Sequence, residues 1–231
     1  MTRAIFFDFY NTLASYYPPR EDIYINASRE LGINVKAKKL FNSLAAADIF
    51  YRNENSRSPI NKRGLEDQLS FFTEYITTII GGAGAQINPD QALKILGKIR
   101  GYKWEFKTYD DAIPTLEALK KRSLIIGLIS NVAQDMESEY ARLGLQSFLD
   151  FKVTSAEIGY DKPRPEIFLA ALKKAKVKPD EALYIGDQYK IDILGARGVG
   201  IRAVLIDRNN YFSDIKDCPR IQSLTQVIDY L

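Results

Sequence analysis

The 231-residue sequence has no histidine and only one cysteine, Cys218. The absence of histidine excludes Ser-His and Cys-His nucleophile pairs, and it excludes metal sites with imidazole ligands. A single cysteine excludes an intrachain disulfide bond and a zinc site built from several thiolates. Any chemistry of this chain must therefore use carboxylates, lysine or arginine side chains, hydroxyl groups and, where a metal takes part, a hard cation.

The sequence also lacks a strong excess of one charge and long apolar runs. Its net charge of +3 is too small to indicate nucleic-acid binding. No apolar run approaches the length that spans a bilayer, and residues 1–4 lead into a strand pattern without the build of a signal peptide. We therefore expect a cytoplasmic protein with no nucleic-acid or membrane partner. The sequence does not distinguish a monomer from a homodimer.

The order of the sequence patterns predicts an α/β protein. A short apolar run at residues 3–7 is typical of a buried strand, and the long stretch that follows contains helical patterns only. From about residue 107 strands alternate with helices, which is typical of a parallel, doubly wound sheet. We therefore predict a Rossmann-like catalytic core of residues 1–14 and 107–231. An all-helical cap domain, residues 15–106, is predicted to be inserted after the first strand.

Polar side chains with catalytic potential follow the predicted strands of the core. They fall in four separate segments: Asp8 with Thr12, Ser130 with Asn131, Lys162, and Asp187 with Asp192. Asp, Ser and Asn are also common in helix caps and turns, so each segment alone is a weak indication of a site. In an open parallel sheet the carboxyl ends of the strands share one edge, where ligands bind. The order of the four segments therefore favours one common site.

These four segments resemble the four motifs of the haloacid dehalogenase (HAD) superfamily, in the subgroup whose helical cap is inserted after the first motif. The matching sequences are DFYNTL at 8–13, LISN at 128–131, KP at 162–163 and GDQYKID at 186–192. The resemblance covers nearly the whole core, whereas the cap matches only in its position and helical character. It implies a hydrolase with a small-molecule substrate.

The resemblance implies a role for each matching residue. Asp8 would be the nucleophile and would form a covalent ester intermediate. The hydroxyl groups of Thr12 and Ser130, with the backbone N–H of Asn131, would hold the transferring group. Lys162 would offset the negative charge of Asp8 and of the substrate.

The resemblance also implies a Mg²⁺ cofactor. Its ligands would be the carboxylates of Asp8 and Asp187 and the backbone carbonyl of Tyr10, since Mg²⁺ prefers oxygen ligands. Asp192 would act through a water on the metal or by orienting Lys162. Three carboxylates in one cleft, with Lys162 as the one obvious cation, would repel one another, so charge balance also favours a divalent cation.

Tyr10 departs from the pattern of the HAD phosphatases. Most of those enzymes carry a second aspartate two residues after the nucleophile, which protonates the leaving oxygen and then activates water. A tyrosine at this place resembles the 2-haloacid dehalogenases, whose halide leaving group needs no proton. The fourth segment, with Asp187 and Asp192, instead resembles the phosphatases, because the dehalogenases have Ser or Asn residues there and need no metal.

Two further differences weaken the dehalogenase alternative. The cap segment in which those enzymes carry a halide-binding arginine reads KLFNS at residues 39–43, so Arg20 or Arg52 would have to supply that charge. Phe168 stands where those enzymes carry a tyrosine, six residues after the lysine of the third segment.

We therefore predict a Mg²⁺-dependent phosphatase that acts on a small phosphorylated metabolite through an aspartyl-phosphate on Asp8. Tyrosine has an ordinary pKa of about 10 and is a poor base at neutral pH, so low turnover or a preference for good leaving groups such as acyl phosphates is expected of Tyr10. Two alternatives stay open. One is a metal-independent 2-haloacid dehalogenase with Asp8 as its nucleophile, and the other is a catalytically weak family member that binds a ligand or a protein.

Overall fold

A computed structural model describes residues 1–132 and 136–231 of the chain, apart from the side chains of Arg52 and Ser56. Eight strands and nine α-helices lie within these ranges. The strands are β1 (Ala4–Phe7), β2 (Ala14–Tyr17), β3 (Glu105–Thr108), β4 (Ile125–Ser130), β5 (Phe151–Thr154), β6 (Ala182–Gly186), β7 (Arg202–Ile206) and β8 (Arg220–Ile221). The helices are α1 (Arg20–Arg29), α2 (Ala37–Arg57), α3 (Leu65–Gly82), α4 (Pro89–Arg100), α5 (Ala112–Lys121), α6 (Glu137–Arg142), α7 (Ser155–Ile158), α8 (Pro165–Ala175) and α9 (Leu194–Gly198). None of these helices is long and apolar enough to cross a membrane.

The described chain divides into two compact units. The first contains residues 1–15 and 106–231, and the second contains residues 16–105. Strands β2 and β3 pair in a two-stranded sheet, and the boundary between the units falls inside both strands. The sequence patterns did not predict these strands, so the second unit is helical only between its ends. Each strand has only four residues, all of which except the buried Ala14 are at least partly exposed, and each lacks the apolar run that identifies a buried strand.

The first unit is built on a six-stranded parallel sheet with the strand order β5-β4-β1-β6-β7-β8. Strand β1 lies inside the sheet, where Phe7 is in register with Leu128 of β4 on one side and Ile185 of β6 on the other. All four residues of β1 are fully buried. This burial explains why the strand reads as an uninterrupted apolar run, which is typical of parallel strands covered on both faces.

Helices cover both faces of this sheet. Successive side chains of a strand point to opposite faces. Ile5 and Phe7 belong to one buried cluster, which includes residues of α5, and Ala4 and Phe6 belong to another, which includes residues of α8. The predicted doubly wound α/β fold class is confirmed.

The second unit has its own apolar core between α1, α2, α3 and α4. The core includes Leu40 and Leu44 from α2, Ile79 from α3 and Ile95 from α4. Within a helix the buried residues recur at the three- and four-residue spacing of an amphipathic helix, as Leu40 and Leu44 do, which is why the helices could be recognised in the sequence. The role of this unit as a cap stays a prediction.

The two glycines of α9 differ in the space around them. A Cβ at Gly195 would lie 2.7 Å from Cε2 of Phe168 and 3.1 Å from Cα of Pro163, whereas nothing lies within 4 Å of a Cβ at Gly198. Because Phe168 is fully buried, we expect Gly195→Ala to lower the free energy of unfolding by about 1–3 kcal/mol. Gly198→Ala is the matched control and should change it by less than about 1 kcal/mol. Chemical denaturation followed by circular dichroism measures both, and equal losses would contradict this account.

Candidate active site

Three of the predicted site residues lie at the carboxyl ends of neighbouring strands. Asp8 follows β1, Ser130 ends β4 and Asp187 follows β6. Since these strands run parallel in the order β4-β1-β6, their carboxyl ends meet at one edge of the sheet. The strand order extends from β1 in both directions, and open α/β sheets bind ligands at such a point. The Asp8 N–H donates to the Ile185 carbonyl at 2.9 Å, which fixes the carboxylate at this edge.

The buried ammonium group of Lys162 joins these segments. Its Nζ donates hydrogen bonds to Asp8 Oδ1 at 2.6 Å, to Asp192 Oδ1 at 2.7 Å and to the Tyr184 hydroxyl at 2.9 Å. The three bonds use all three donors of the ammonium group. Only 4% of Lys162 is exposed, so its charge is matched by carboxylates rather than by water.

Asn131 holds the main chain of Lys162. Its Oδ1 accepts a hydrogen bond from the Lys162 N–H at 2.7 Å, and its Nδ2 donates one to the Lys162 carbonyl at 3.0 Å. This pair of bonds sets the point from which the Lys162 side chain enters the site. The sequence suggested a role only for the backbone N–H of Asn131, which stays a prediction, and gave no sign of this side-chain contact.

Asp192 lies in a π-helical turn, Tyr189–Ile193, a rare conformation that is frequent at functional sites. Its Oδ1 accepts the bond from Lys162, and its Oδ2 accepts one from the Gln188 N–H at 2.9 Å. Gly186 leaves room for this side chain, since a Cβ there would lie 2.4 Å from Cγ of Asp192. Both oxygens of Asp192 are therefore engaged, and one of them contacts the Lys162 ammonium.

Tyr184 is a site residue that the sequence patterns missed. Its hydroxyl accepts a hydrogen bond from Lys162 and donates one to Asp192 Oδ1 at 2.8 Å. Burial raises the pKa of Tyr184 well above its ordinary value, and the charges of Asp192 and Asp8 raise it further, so the phenol stays neutral. A tyrosine inside the apolar run of β6 is typical of a packed core. The one available signal was its position two residues before Gly186.

Asp187 contrasts with Asp192, because neither of its carboxylate oxygens has a hydrogen-bond partner among the described residues. Only 3% of Asp187 is exposed. Three carboxylate oxygens, one from each of Asp8, Asp187 and Asp192, lie within 4.8 Å of one another. Burial is the main reason that the pKa of Asp187 lies well above its ordinary value, and the charges of Asp8 and Asp192 raise it further. The positive charge of Lys162 and the polar side chain of Asn11 lower the pKa of Asp187, but they offset only part of this rise.

The pKa values of Asp8 and Lys162 are also shifted. Burial raises the pKa of Asp8 from 3.8 to about 6, although Lys162 lowers it. Burial alone would lower the pKa of Lys162, but Asp192 and Asp8 raise it above its ordinary value, so the ammonium stays protonated. Among the described residues, the site therefore sets three carboxyl groups against one ammonium group, and burial together with charge repulsion raises the pKa values of Asp8 and Asp187.

This arrangement fits a divalent cation with oxygen ligands. The carboxylates of Asp8 and Asp187 could hold one ion directly, and Asp192, whose oxygens are both engaged, could contribute through a water. The oxygens of Asp187 are the most direct indication, because a buried carboxylate without hydrogen bonds is costly unless a cation faces it. Mg²⁺ suits such a set, since it takes oxygen ligands and few protein carboxylates. The Tyr10 carbonyl as a further ligand stays a prediction.

Two hydroxyl side chains and Tyr10 complete the predicted set. Thr12 is fully buried, and its Oγ1 has no hydrogen-bond partner among the described residues. Ser130 is 3% exposed. The half-buried ring of Tyr10 meets Phe106 edge-on, with the ring centroids 6.5 Å apart, and packs against the apolar cluster around β1. The ring of Tyr10 is thus engaged in apolar packing, and the catalytic roles of these residues stay predictions.

The residues considered for a halide site do not gain support. In the second unit, Arg20 forms two bonds to the Asp48 carboxylate, at 2.6 and 2.8 Å, and one to the Tyr75 hydroxyl at 2.7 Å. Its charge is therefore matched within that unit. The side chain of Arg52 lies outside the described residues. Phe168 is fully buried in the core of the first unit.

A comparison with protein families identifies the chain. A model of the haloacid dehalogenase-like hydrolase family matches residues 2–200. Since this match covers most of the sequence, the chain belongs to the haloacid dehalogenase-like hydrolases. The family predicted from the four segments is confirmed, whereas the subgroup with the inserted helical cap stays a prediction.

Curated relatives of this chain include named phosphatases. A glyceraldehyde 3-phosphate phosphatase of Methanopyrus kandleri is 41% identical over 106 residues, which are 46% of this chain and 46% of that protein. A ribulose-1,5-bisphosphate 5-phosphatase of Halopiger xanaduensis is 27% identical over 212 residues, which are 90% of this chain and 85% of that protein. The match to the first relative thus spans about half of its length.

Solved structures share the fold of this chain. A 2-haloacid dehalogenase from Pseudomonas syringae pv. Tomato DC3000 matches with a TM-score of 0.57 and 22% identity, over 99% of this chain and 97% of that one. A similarity at this level of identity shows the fold alone. It does not decide between phosphatase and dehalogenase chemistry.

Asp187 and Asp192 should respond in opposite ways to neutralisation. With a chelator present at about pH 7.5, we expect Asp187→Asn to raise the free energy of unfolding by about 1–3 kcal/mol, because a buried carboxylate without partners is removed. Asp192→Asn should lower it by a similar amount, about 1–3 kcal/mol, since Lys162 loses an ion pair. Chemical denaturation of the two variants and the wild type measures both changes.

The direction of the pH dependence follows from the raised pKa of Asp187. Above about pH 4 the folded protein holds a proton that the unfolded chain releases, so stability falls as the pH rises toward the folded-state pKa. The advantage of Asp187→Asn over the wild type should therefore shrink when the pH is lowered from about 7.5 to about 5. An advantage that grew at low pH would contradict this account of Asp187.

Proposed function

We propose that this hydrolase is a Mg²⁺-dependent phosphatase that acts on small phosphorylated metabolites. The observation that carries the proposal is the buried cluster of Asp8, Asp187 and Asp192, which faces the single ammonium group of Lys162. A phosphoryl group adds negative charge to such a site, so its binding requires a further cation. The names of the two phosphatase relatives support the same class of substrate.

In the proposed first step, the Asp8 carboxylate attacks the phosphorus atom in line with the leaving oxygen. A bond forms between Asp8 and phosphorus, and the bond to the leaving oxygen breaks with its electron pair going to that oxygen. Lys162 holds Asp8 through Oδ1 and offsets charge on the phosphoryl oxygens, and Thr12 offers a buried hydroxyl donor. Mg²⁺ held by Asp8 and Asp187 would supply the additional positive charge beside the phosphoryl oxygens.

In the proposed second step, water hydrolyses the aspartyl-phosphate and restores the Asp8 carboxylate. The water oxygen forms a bond to phosphorus, and the bond between phosphorus and Asp8 breaks with its electron pair going to the carboxylate. The proton that the water loses goes to the released phosphate or to solvent, and an alkoxide leaving group must gain a proton in the first step. Tyr10 is a poor acid and base at neutral pH, and its ring is engaged in apolar packing. The site is therefore suited to leaving groups that depart without a proton, such as the carboxylate of an acyl phosphate.

The dehalogenase alternative is supported by Tyr10 and opposed by Asp187. A halide leaving group would make the missing acid irrelevant. That chemistry without a metal would, however, leave Asp187 as a buried carboxylate with no partner among the described residues. The balance favours the phosphatase.

Phosphate release distinguishes the candidate functions. We expect Mg²⁺-dependent release from acetyl phosphate and p-nitrophenyl phosphate, with slower release from glycerol phosphate. Asp8→Asn should lower the rate by about 1000-fold or more, because it removes the nucleophile. The exposed Asp180→Asn is the matched control and should leave the rate unchanged. A colorimetric phosphate assay, with and without a chelator, measures these rates.

Two other outcomes would replace the proposal. Halide release from 2-chloropropionate without a metal would assign a dehalogenase. No turnover of either substrate class, together with failure of Mg²⁺ to raise the melting temperature of the wild type, would leave a family member that binds a ligand or a protein.

Substitution of Tyr10 tests the account of the leaving group. We expect Tyr10→Asp to raise the hydrolysis rate of glycerol phosphate by about tenfold or more, since a positioned carboxyl group supplies the missing acid and base. Acetyl phosphate should gain less, because its leaving group needs no proton. Tyr10→Asn is the matched control, which has a similar shape but no titrating group and should give no gain. If Tyr10→Asp hydrolyses glycerol phosphate more slowly than the wild type, Tyr10 itself takes part in the reaction.

A further inference from the structure

The turn that follows Asp8 offers two carbonyl groups to the rest of the first unit. Within the turn, the N–H groups of Leu13 and Ala14 donate to the Phe9 carbonyl at 3.0 and 3.1 Å. The carbonyls of Thr12 and Leu13 accept hydrogen bonds from outside it. The conformation of this segment thus depends on the residues that supply those donors.

Arg208, two residues beyond the end of β7, binds the first of these carbonyls. Its Nη2 donates to the Thr12 carbonyl at 2.8 Å. The N–H of Tyr109 donates to the Leu13 carbonyl at 3.1 Å. The Arg208 guanidinium also lies 3.7 Å from the centroid of the Tyr109 ring, at a distance typical of a stacked cation and ring. One stacked pair therefore anchors two consecutive carbonyls of the turn.

Asp111 fixes the guanidinium group in this place. Its two oxygens accept bonds from Nη1 and Nη2 of Arg208, each at 2.9 Å, and both side chains are largely buried. Oδ2 of Asp111 also accepts bonds from Ser223 Oγ at 2.8 Å and from the Leu224 N–H at 3.0 Å. Burial alone would raise the pKa of Asp111, but the bonds from Arg208 and Leu224 hold it below its ordinary value, so the carboxylate stays charged.

We propose that Arg208 is a positioning residue that holds the turn after the nucleophile in the geometry needed by the site. The turn carries the buried hydroxyl of Thr12, which has no hydrogen-bond partner in the described part of the chain, and the carbonyl of Tyr10, which is a predicted metal ligand. Asp8 itself is held independently, by the sheet and by Lys162. Loss of Arg208 therefore loosens the groups around the transferring group rather than the nucleophile. The catalytic part of this inference rests on the proposed phosphatase function.

The geometry requires a guanidinium group rather than a positive charge alone. Arg208 binds the Asp111 carboxylate and the Thr12 carbonyl through separate N–H donors of its planar guanidinium group. The flat face of the same group stacks on the Tyr109 ring. Lysine offers a single ammonium centre without that fork. Arg208→Lys should therefore keep the ion pair with Asp111 but hold the Thr12 carbonyl less well.

The test compares Arg208→Gln with Arg220→Gln. Arg220 pairs with the buried Asp207 at 2.8 Å in the same unit, and its other described hydrogen bond is to Asn210 rather than to the turn. In hydrogen-exchange mass spectrometry, the peptide containing residues 9–14 should exchange at least about tenfold faster in Arg208→Gln than in the wild type. Arg220→Gln should leave the exchange of this peptide unchanged.

Kinetics supply the second measurement. With acetyl phosphate and Mg²⁺, Arg208→Gln should lower kcat by about tenfold or more while KM changes by less than about threefold, because misplaced groups weaken the transition state more than substrate binding. Arg208→Lys should recover part of the lost kcat. Arg220→Gln should stay within about twofold of the wild type in kcat.

Several results would overturn the proposal. Arg208 has no positioning role if folded Arg208→Gln matches the wild type in exchange and in kcat, or if Arg220→Gln shows the same losses. If Arg208→Gln does not fold, Asp111→Asn takes its place, and unchanged exchange of the 9–14 peptide in that variant would have the same meaning. A wild type without phosphatase activity would overturn the proposed function alone, since exchange would still decide whether Arg208 holds the turn.

Discussion

The site depends on the ion pairs that the buried ammonium group of Lys162 forms with two carboxylates. This ammonium group lies between the carboxylates of Asp8 and Asp192 and uses its third donor on the Tyr184 hydroxyl. Removing Lys162 would leave two buried carboxylates without their cation and cost about 3–5 kcal/mol. Lys162 and Asp8 are 154 positions apart in the sequence, so this ion pair holds distant segments of the first unit together. Asn131 adds to it by binding the Lys162 main chain from both sides.

The same ion pairs leave the charge of Asp187 only partly compensated. Lys162 has only three donors, and none of them reaches Asp187, whose oxygens have no hydrogen-bond partner among the described residues. A buried carboxylate in this state reduces stability, and such a loss is characteristic of positions that are retained for function. Gly186 and the π-helical turn Tyr189–Ile193 serve the same edge of the sheet, since they let the Asp192 side chain approach the strand end. The local conformation of this segment is therefore suited to bringing charges together.

Much of the core and of the site could be predicted from the sequence because both have local signatures. A parallel strand covered on both faces reads as an apolar run, and the residue that ends the run lies at the ligand-binding edge, as Asp8 does. The fold class and the family were correct for this reason. Strands β2 and β3 were missed because they are short and partly exposed. Tyr184 was missed because a tyrosine in an apolar strand has the pattern of a packed core, and Arg208 was missed because its partners are 97 and 196 positions away in the chain.

By itself, the sequence determined which chemistry was available and in what order its groups occur along the chain. Because the chain has no histidine and only one cysteine, a site had to be built from carboxylate and hydroxyl oxygens and from ammonium and guanidinium groups. The tertiary structure alone decided how those groups pair: Lys162 with Asp8 and Asp192, and Arg208 with Asp111 and the Thr12 carbonyl. It also decided that Asp187 has no such partner within the described chain. The physical reason is that hydrogen bonds and ion pairs require separations of about 3 Å, and only strand register and core packing set distances that finely.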